Sequence, residues 1–493
     1  MKKIFTAVGL FLLLFVVVVL FNTFTLETKS SKNFDYVAVA LERTQIPERL
    51  ANAIKIRTIS EENESDIEYE NFLRLHQYIN EQFPLVTDSL VRETVNTYSL
   101  LYQWQGSNPE MQPILLLSHM DVVPVVAGTE ELWEHGPFSG DIADGYIWGR
   151  GTIDDKQGVL GILEAVEQLL SEGYQPKRSI YLAFGHDEER SGAQGAKLIA
   201  EKLKSRGVRT LFTMDEGGGI MEGSTFGVDK KIAMVMTSEK GYVSLRLTAS
   251  GQGGHSSMPP GETAVATLSK AVAAVSDKKF PINTSIFEEM IAFLANDMPF
   301  TFRLMGANIG LFKPLLESFV QSSPEINAMF RTTTAPTMLS GSPKDNVLPI
   351  YARAVINHRI MPGETIESTR DFVIEAIGDE RIEVEIINQS SNPSPVASTT
   401  SQGYEIISRT IQQIATDELI IVPSMLPAFT DSKHYAEISE DVYRFVFMDL
   451  DPALIHGTNE RISIENYLDA IRFYIQLIKN SDQVDADPNP AVE

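Results

Sequence analysis

The 493-residue chain contains no cysteine. Disulfides are excluded, as are thiolate ligands for a metal, while the compartment stays open because oxidising and reducing locations both tolerate cysteine-free chains. Positive charge is also in short supply: 41 Lys and Arg stand against 66 Asp and Glu, a net charge of -25. Such a surface repels phosphate backbones and anionic headgroups, which argues against nucleic acid as a partner. Histidines number only eight, which limits the choice of imidazole ligands for a metal. What the chain does have is apolar content, 43% over a length that suits two or three domains and a large core.

The most informative run is Ile114-Leu115-Leu116-Leu117-Ser118-His119-Met120-Asp121, an apolar strand driving into His-x-Asp. Residues two apart in a strand share a face, so His119 can offer one ring nitrogen to a metal while Asp121 fixes the other. Trp148 to Lys156 is a glycine-punctuated loop carrying Asp154 and Asp155, and it opens onto a helical pattern from Val159 to Leu170. Two more short β-type runs follow: Ser179 to Phe184 leads into His186-Asp187-Glu188-Glu189, and Thr210 to Met214 into Asp215-Glu216. Ligands gathered at the carboxyl ends of strands are how an open α/β sheet builds a site. Carboxylates so crowded repel one another and cannot all stay ionised without compensation, which a divalent cation supplies. A mixed histidine and carboxylate set suits zinc or a comparable first-row ion better than calcium or magnesium. The acidic groups exceed what one tetrahedral zinc needs, so two ions sharing a carboxylate are expected.

These segments, together with Gly253-Gly254-His255-Ser256 and Ile455-His456-Gly457-Thr458-Asn459-Glu460, resemble the M20-type co-catalytic zinc hydrolases, which include glutamate carboxypeptidase, aminoacylase-1 and carboxypeptidase S. The likeness runs in family order over nearly all of the chain after residue 40. It implies two Zn2+ per subunit, with Co2+ or Mn2+ as substitutes. It further implies that Asp154 bridges the ions, with His119 and Asp215 completing one site and Glu189 and His456 the other. Glu188 is then the general base and Asp121 the carboxylate that orients His119. Adjacent glutamates allow a turn to point one at metal and leave the other for water, but which does which comes from the resemblance alone.

The same resemblance assigns substrate residues. His255 would steady the developing oxyanion from a second domain, often that of a partner subunit. His434, in Thr430-Asp431-Ser432-Lys433-His434, is similar to a substrate-side loop of the carboxypeptidase S branch. Asn346 and Arg359 match motifs that reach the substrate's carboxylate or scissile carbonyl, and an arginine fork suits a free carboxylate. His76, His135, His186 and His358 are given packing or surface roles, His186 being close enough in sequence to support Glu188.

At the N-terminus Lys2 and Lys3 precede an apolar run from Ile4 to Phe21, about the length needed to cross a bilayer. Lysines before the run place the N-terminus in the cytoplasm, and no small-x-small cleavage signal follows. The expectation is a single-pass signal anchor with the catalytic body outside the cytoplasm, a cleaved and secreted form being the alternative. A ligand at residue 456 that joins others at 119 to 215 makes the middle of the chain an excursion. The expected fold is therefore α/β: an anchor (1–26), a zinc-peptidase-like catalytic domain in two parts (27–239 and 391–480), an inserted α+β lid (240–390) and a disordered tail (481–493). By resemblance the lid dimerises. The Phe- and Met-rich stretch from 281 to 340 is expected to be core of an enlarged lid, or else a hydrophobic surface for acyl substrates or the membrane.

Together these readings predict a membrane-anchored dinuclear zinc hydrolase of small-molecule substrates, cleaving a peptide or N-acyl-amino-acid amide bond next to a free carboxylate. N-fatty-acyl-amino acid synthase/hydrolase activity is the alternative. A non-catalytic binding module of the same fold would lack a ligand, and none is missing.

Overall fold

A computed structural model describes residues 2–29, 34–311 and 313–483. The apolar run forms helix α1 (Lys2–Phe24). The larger sheet has nine strands: Val91–Val95 (β1), Ser99–Trp104 (β2), Ile114–His119 (β3), Ile180–Gly185 (β4), Thr210–Asp215 (β5), Ile220–Glu222 (β6), Lys231–Glu239 (β7), Leu419–Leu426 (β8) and Ser439–Arg444 (β9). Their order is β1-β2-β4-β3-β5-β9-β7-β8, with β6 paired to β7. Strand β3 runs parallel to both β4 and β5. From β3 the chain passes through helix α2 (Lys156–Ser171) to β4 on one side, then returns to β5 on the other. Connections that diverge in this way open a crevice at the strands' carboxyl ends.

Every residue of β3, β4 and β5 is buried, which is why they read as unbroken apolar runs instead of alternating ones. Helix α2 packs beside the last helix, Ile464–Ser481, where Gly161 faces Tyr467, Ile471 and Tyr474. Leu468, Ile471 and Ile475 are fully buried, each worth roughly 1.5–3 kcal/mol relative to exposure.

A second, four-stranded antiparallel sheet is made by Gly241–Ser250, Thr333–Ser340, Tyr351–Ile360 and Ile382–Ser391. Burial alternates along Tyr351–Ile360, so one face packs on helices Ala264–Asp277 and Ile366–Ile377 while the other stays open. The chain enters this sheet one residue after β7 ends and rejoins the larger sheet at β8.

The Phe- and Met-rich stretch divides: Thr333–Ser340 joins the smaller sheet, while its first helix corrects the expectation of an enlarged lid. Its helix α3 (Ser285–Leu294) lays Met290, Ile291, Phe293 and Leu294 into the core of the larger sheet, alongside β8, and does not enlarge the smaller unit. The physical reason is an apolar stripe at helical spacing that finds the exposed side of the edge strand. Helix α4 (Phe300–Ala307) follows and lies beside α1. The expected tail lies outside the described residues from residue 484 onward; the last helix itself runs to Ser481.

Candidate metal centre

His119 ends β3 with both ring nitrogens engaged. Its Nδ1 lies 3.0 Å from the Asp121 carbonyl and 3.3 Å from Asp121 Oδ1, and its Nε2 lies 2.8 Å from Asp154 Oδ1. Asp121 is fully buried and does more than hold this ring: Oδ1 accepts the Glu188 N–H, and Oδ2 accepts the Glu189 N–H and the Ser60 hydroxyl. One carboxylate thus ties the end of β3 to the turn after β4.

The other Asp154 oxygen, Oδ2, is 3.0 Å from His456 Nε2, which is itself 3.4 Å from Glu189 Oε1. On the opposite side Glu216 Oε1 is 3.4 Å from His119 Nε2. Two groups result, His119 with Asp154 and Glu216, and Asp154 with Glu189 and His456, the ligand atoms of each lying within 4.8 Å of one another. Asp154 belongs to both. Glu188 stands within the same distance of His119 and Glu189 but in neither of the groups that share Asp154.

Asp215 is not in the cluster. Its Oδ2 accepts the Thr430 hydroxyl and the Ser432 N–H, both at 2.8 Å, and its Oδ1 accepts the Glu216 N–H. Successive residues at a strand end face opposite ways, so only one of the Asp215-Glu216 pair can look into the crevice, and it is Glu216. The sequence carries no sign of this, because a strand buried on both faces has no alternation to read.

The loop that delivers Asp154 is held from residue 460. Buried Glu460 pairs with Arg150 at 2.5 Å and accepts the N–H groups of Gly151, Ile153 and Asp154 at 2.9, 2.9 and 3.3 Å. At Gly149 the backbone has φ 138°, and a Cβ would meet Ile54 Cγ2 at 2.5 Å, so only glycine fits. His456 itself has φ 57°, a left-handed conformation unusual for a side chain of its size, and Arg150 Nη2 donates to its carbonyl. Glu460 ends the Ile455–Glu460 motif, and its supporting role is visible only in these contacts.

Electrostatics match a cation-binding site. The neighbouring Asp154 and Glu189 carboxylates raise the His456 imidazole to about 10. Burial alone would raise Asp154, but the hydrogen bonds and charges of His119 and His456 outweigh it and hold the carboxyl low. Burial pushes Glu188 and Glu216 well above the usual carboxylate range, partly offset by His119. Glu189 Oε1 is buried and makes no well-aligned hydrogen bond among the described residues, its nearest donor being His456 Nε2 at 3.4 Å. An orphaned carboxylate oxygen, aimed at histidine nitrogens that can ligate once deprotonated, fits a divalent ion.

The expected substrate residues divide into two sets. Arg359 lies over Tyr242 and Phe429, 4.9 and 5.2 Å from their ring centroids, and forms no ion pair among the described residues. Lys433, which sequence reasoning passed over, has its Nζ 3.8 Å from the same Phe429 ring and is within electrostatic reach of Asp431 and Glu188. Burial lowers both cations' affinity for protons. His434, pushed down to about 4 by burial, bonds the Ser191 carbonyl at 3.0 Å and so supports the turn that follows Glu189. His255 and Asn346 sit together on the exposed ribbon formed by Gly254–His255 and Val347–Leu348; no hydrogen bond or ion pair joins them to the cluster among the described residues. His186 bonds Ser99 and packs on Phe72 and Tyr98, His76 bonds the Tyr98 carbonyl, His135 pairs with Asp141, and His358 is buried beside Thr334.

An open α/β sheet with histidines and carboxylates converging at its strand ends defines a metal-dependent hydrolase. The chain belongs to peptidase family M20/M25/M40, whose model matches residues 115–480. It is 40% identical over 492 residues to the N-fatty-acyl-amino acid synthase/hydrolase PM20D1 of Xenopus tropicalis, covering 97% of this chain and 94% of that one. "Probable carboxypeptidase S-like 2" of Dictyostelium discoideum is 38% identical over 452 residues, covering 90% and 86%. Among solved structures, an M20 family metallo-carboxypeptidase from Sulfolobus solfataricus superposes with a TM-score of 0.66 at 17% identity, over 89% of this chain and all of that one.

Proposed function

We propose that this metallohydrolase is a membrane-anchored, dinuclear zinc enzyme that cleaves a peptide or N-acyl-amino-acid amide bond next to a free carboxylate. The observation that carries the reading is the Asp154 carboxylate, with one oxygen facing each of two histidine-bearing groups. His119, Asp154 and Glu216 would hold one ion, and Asp154, Glu189 and His456 the other. When bound, such ions polarise a carbonyl and acidify water at neutral pH. Glu188 takes the proton of the attacking water and returns it to the leaving nitrogen. Asp121 fixes the backbone of that turn, and half-exposed His456 marks the open side of the crevice.

Glu216 stands here in the place expected for Asp215. Glu216→Gln should lose about one metal equivalent, because a neutral amide is a poorer ligand for a divalent cation. Asp215→Asn should keep both ions and instead loosen the Thr430–His434 loop. Elemental analysis of the two purified variants decides between them; loss of metal from Asp215→Asn alone would restore the original assignment.

Arg359 and Lys433, stacked on one aromatic ring beside Glu188, form the carboxylate-binding side. Arg359→Ala and Lys433→Met should each cost about ten- to a hundredfold in kcat/KM for substrates bearing a free α-carboxylate, through loss of a charge-assisted contact. Amidated analogues should suffer far less. Equal losses on both substrate classes would remove these cations from carboxylate recognition.

A second reading, synthesis as well as hydrolysis of N-fatty-acyl amino acids, is favoured by the 40% identity to the Xenopus tropicalis enzyme that carries that name. Turnover of long-chain N-acyl amino acids measured beside dipeptides separates the two substrate classes. The exposed His255–Asn346 ribbon and the open edge strand Thr333–Ser340, with Met338 and Leu339 largely bare, support a homodimer through the lid. Light scattering should accordingly give twice the monomer mass. The exposed apolar helix α1 behind Lys3 supports a single-pass anchor with the N-terminus in the cytoplasm and the catalytic body outside.

A further inference from the structure

Helix α4 and the turn after it carry an apolar surface that the catalytic reading does not use. Phe300, Phe302, Met305 and Leu311 are all exposed, Met305 by 53% and Leu311 by 46%. The same element seats the anchor. Asn308 is buried and donates from Nδ2 to the Val19 carbonyl and Thr23 Oγ1, while Asn22 donates to Asn308 Oδ1 at 3.0 Å. At the other end of α4 the Phe300 ring lies 6.0 Å from Phe24. The two helices therefore run antiparallel, and the chain from Phe300 to Asn308 descends along α1 towards its apolar middle.

The depth follows from helix geometry. The apolar span Lys3–Phe24 covers 22 residues, about 33 Å at 1.5 Å per residue, which matches the ~30 Å hydrocarbon core. Val19 lies five residues, about 7.5 Å, inside the body-side end of that span. Asn308 bonds Val19, Asn22 and Thr23, so it lies between about 1.5 and 7.5 Å inside that end, and the Leu311 N–H bonds its carbonyl. A depth of about 5–10 Å is where interfacial helices rest in the headgroup and acyl boundary. Arg303, the one charged residue of α4, forms no ion pair among the described residues, and its Nε is buried without a hydrogen-bond partner.

We infer that α4 and the turn through Leu311 sink into the near leaflet of a phospholipid bilayer, seating the catalytic body on the membrane beside its own anchor. The inference rests on reading α1 as a membrane span. With a net charge of -25 the protein gains nothing from anionic lipid, so the seating depends on apolar insertion and not on bulk charge.

The absence of cysteine makes a direct test simple. Single cysteines are introduced in the full-length chain by Met305→Cys, Leu311→Cys, Phe11→Cys and Val91→Cys, and each is labelled with an environment-sensitive fluorophore. Each protein is reconstituted into phosphatidylcholine vesicles containing acyl-chain nitroxide lipid. Val91 is the control, exposed on β1 at the sheet edge opposite β8, on which α3 packs. Labels at 305 and 311 should be quenched at least twofold more than the label at 91, in low and high salt alike. Quenching at 11 with 305 and 311 at the level of 91 would overturn the seating and leave the anchor standing. No quenching at 11, 305 or 311 would remove both. Quenching at 305 and 311 without quenching at 11 would discard the span and, with it, the seating beside an anchor that is argued from it.

Discussion

Glu188→Gln should keep two metal equivalents per chain and lose roughly a hundredfold to ten-thousandfold in kcat, the range for a missing general base. The glutamine preserves size and can still hydrogen-bond to water, but it cannot accept a proton. Metal should stay because Glu188 lies outside both groups that share Asp154, whereas Glu189 belongs to one of them. The turn itself should survive, since Asp121 grips it through the backbone N–H groups of residues 188 and 189 and not through their side chains. The acidic limb of the kcat/KM profile, where the wild-type base becomes protonated, should disappear in the variant. Glu189→Gln gives the contrasting failure, with one ion lost. If Glu188→Gln loses metal and Glu189→Gln retains two ions, the duties are reversed; unchanged turnover would remove Glu188 from proton transfer.

That division was half legible in the sequence. Strands β3, β4 and β5 announce themselves because each is an apolar run buried on both faces, and each ends in acidic or histidine residues that an apolar core would not otherwise tolerate. Which residue of an acidic pair faces the crevice was not legible. For Asp215 and Glu216 it depends on where the strand's last peptide points, and that is fixed by Thr430 and Ser432, more than 200 residues later in the chain. Lys433 was overlooked for a related reason. A lysine in a polar loop reads as solvated until Phe429 and the Arg359 strand are brought beside it. The stretch from 281 to 340 was visibly too apolar for a loop, yet its composition could not tell that α3 would cover β8 while α4 stayed open next to α1.

Removing the shared carboxylate should be the most damaging single change. With Asp154→Ala, the first group keeps only His119 and Glu216 and the second only Glu189 and His456, two protein ligands each where structural and catalytic zinc sites use three or four. Dialysed protein should then hold close to zero metal, and turnover should fall by about three powers of ten or more, since several kcal/mol of transition-state stabilisation depend on the ions. Asp154→Asn, which keeps the volume, should lose at least one ion because its amide offers a single acceptor oxygen where the carboxylate offers one to each side. His456→Ala is the necessary comparison, as it touches only one group and should cost one equivalent. Circular dichroism melts guard against trivial unfolding; the loop retains its grip through Glu460, which bonds backbone N–H groups that none of these changes alters. Two ions retained by Asp154→Ala would show that the carboxylate lies between the histidines without bridging what they bind, and the dinuclear reading would fall with it.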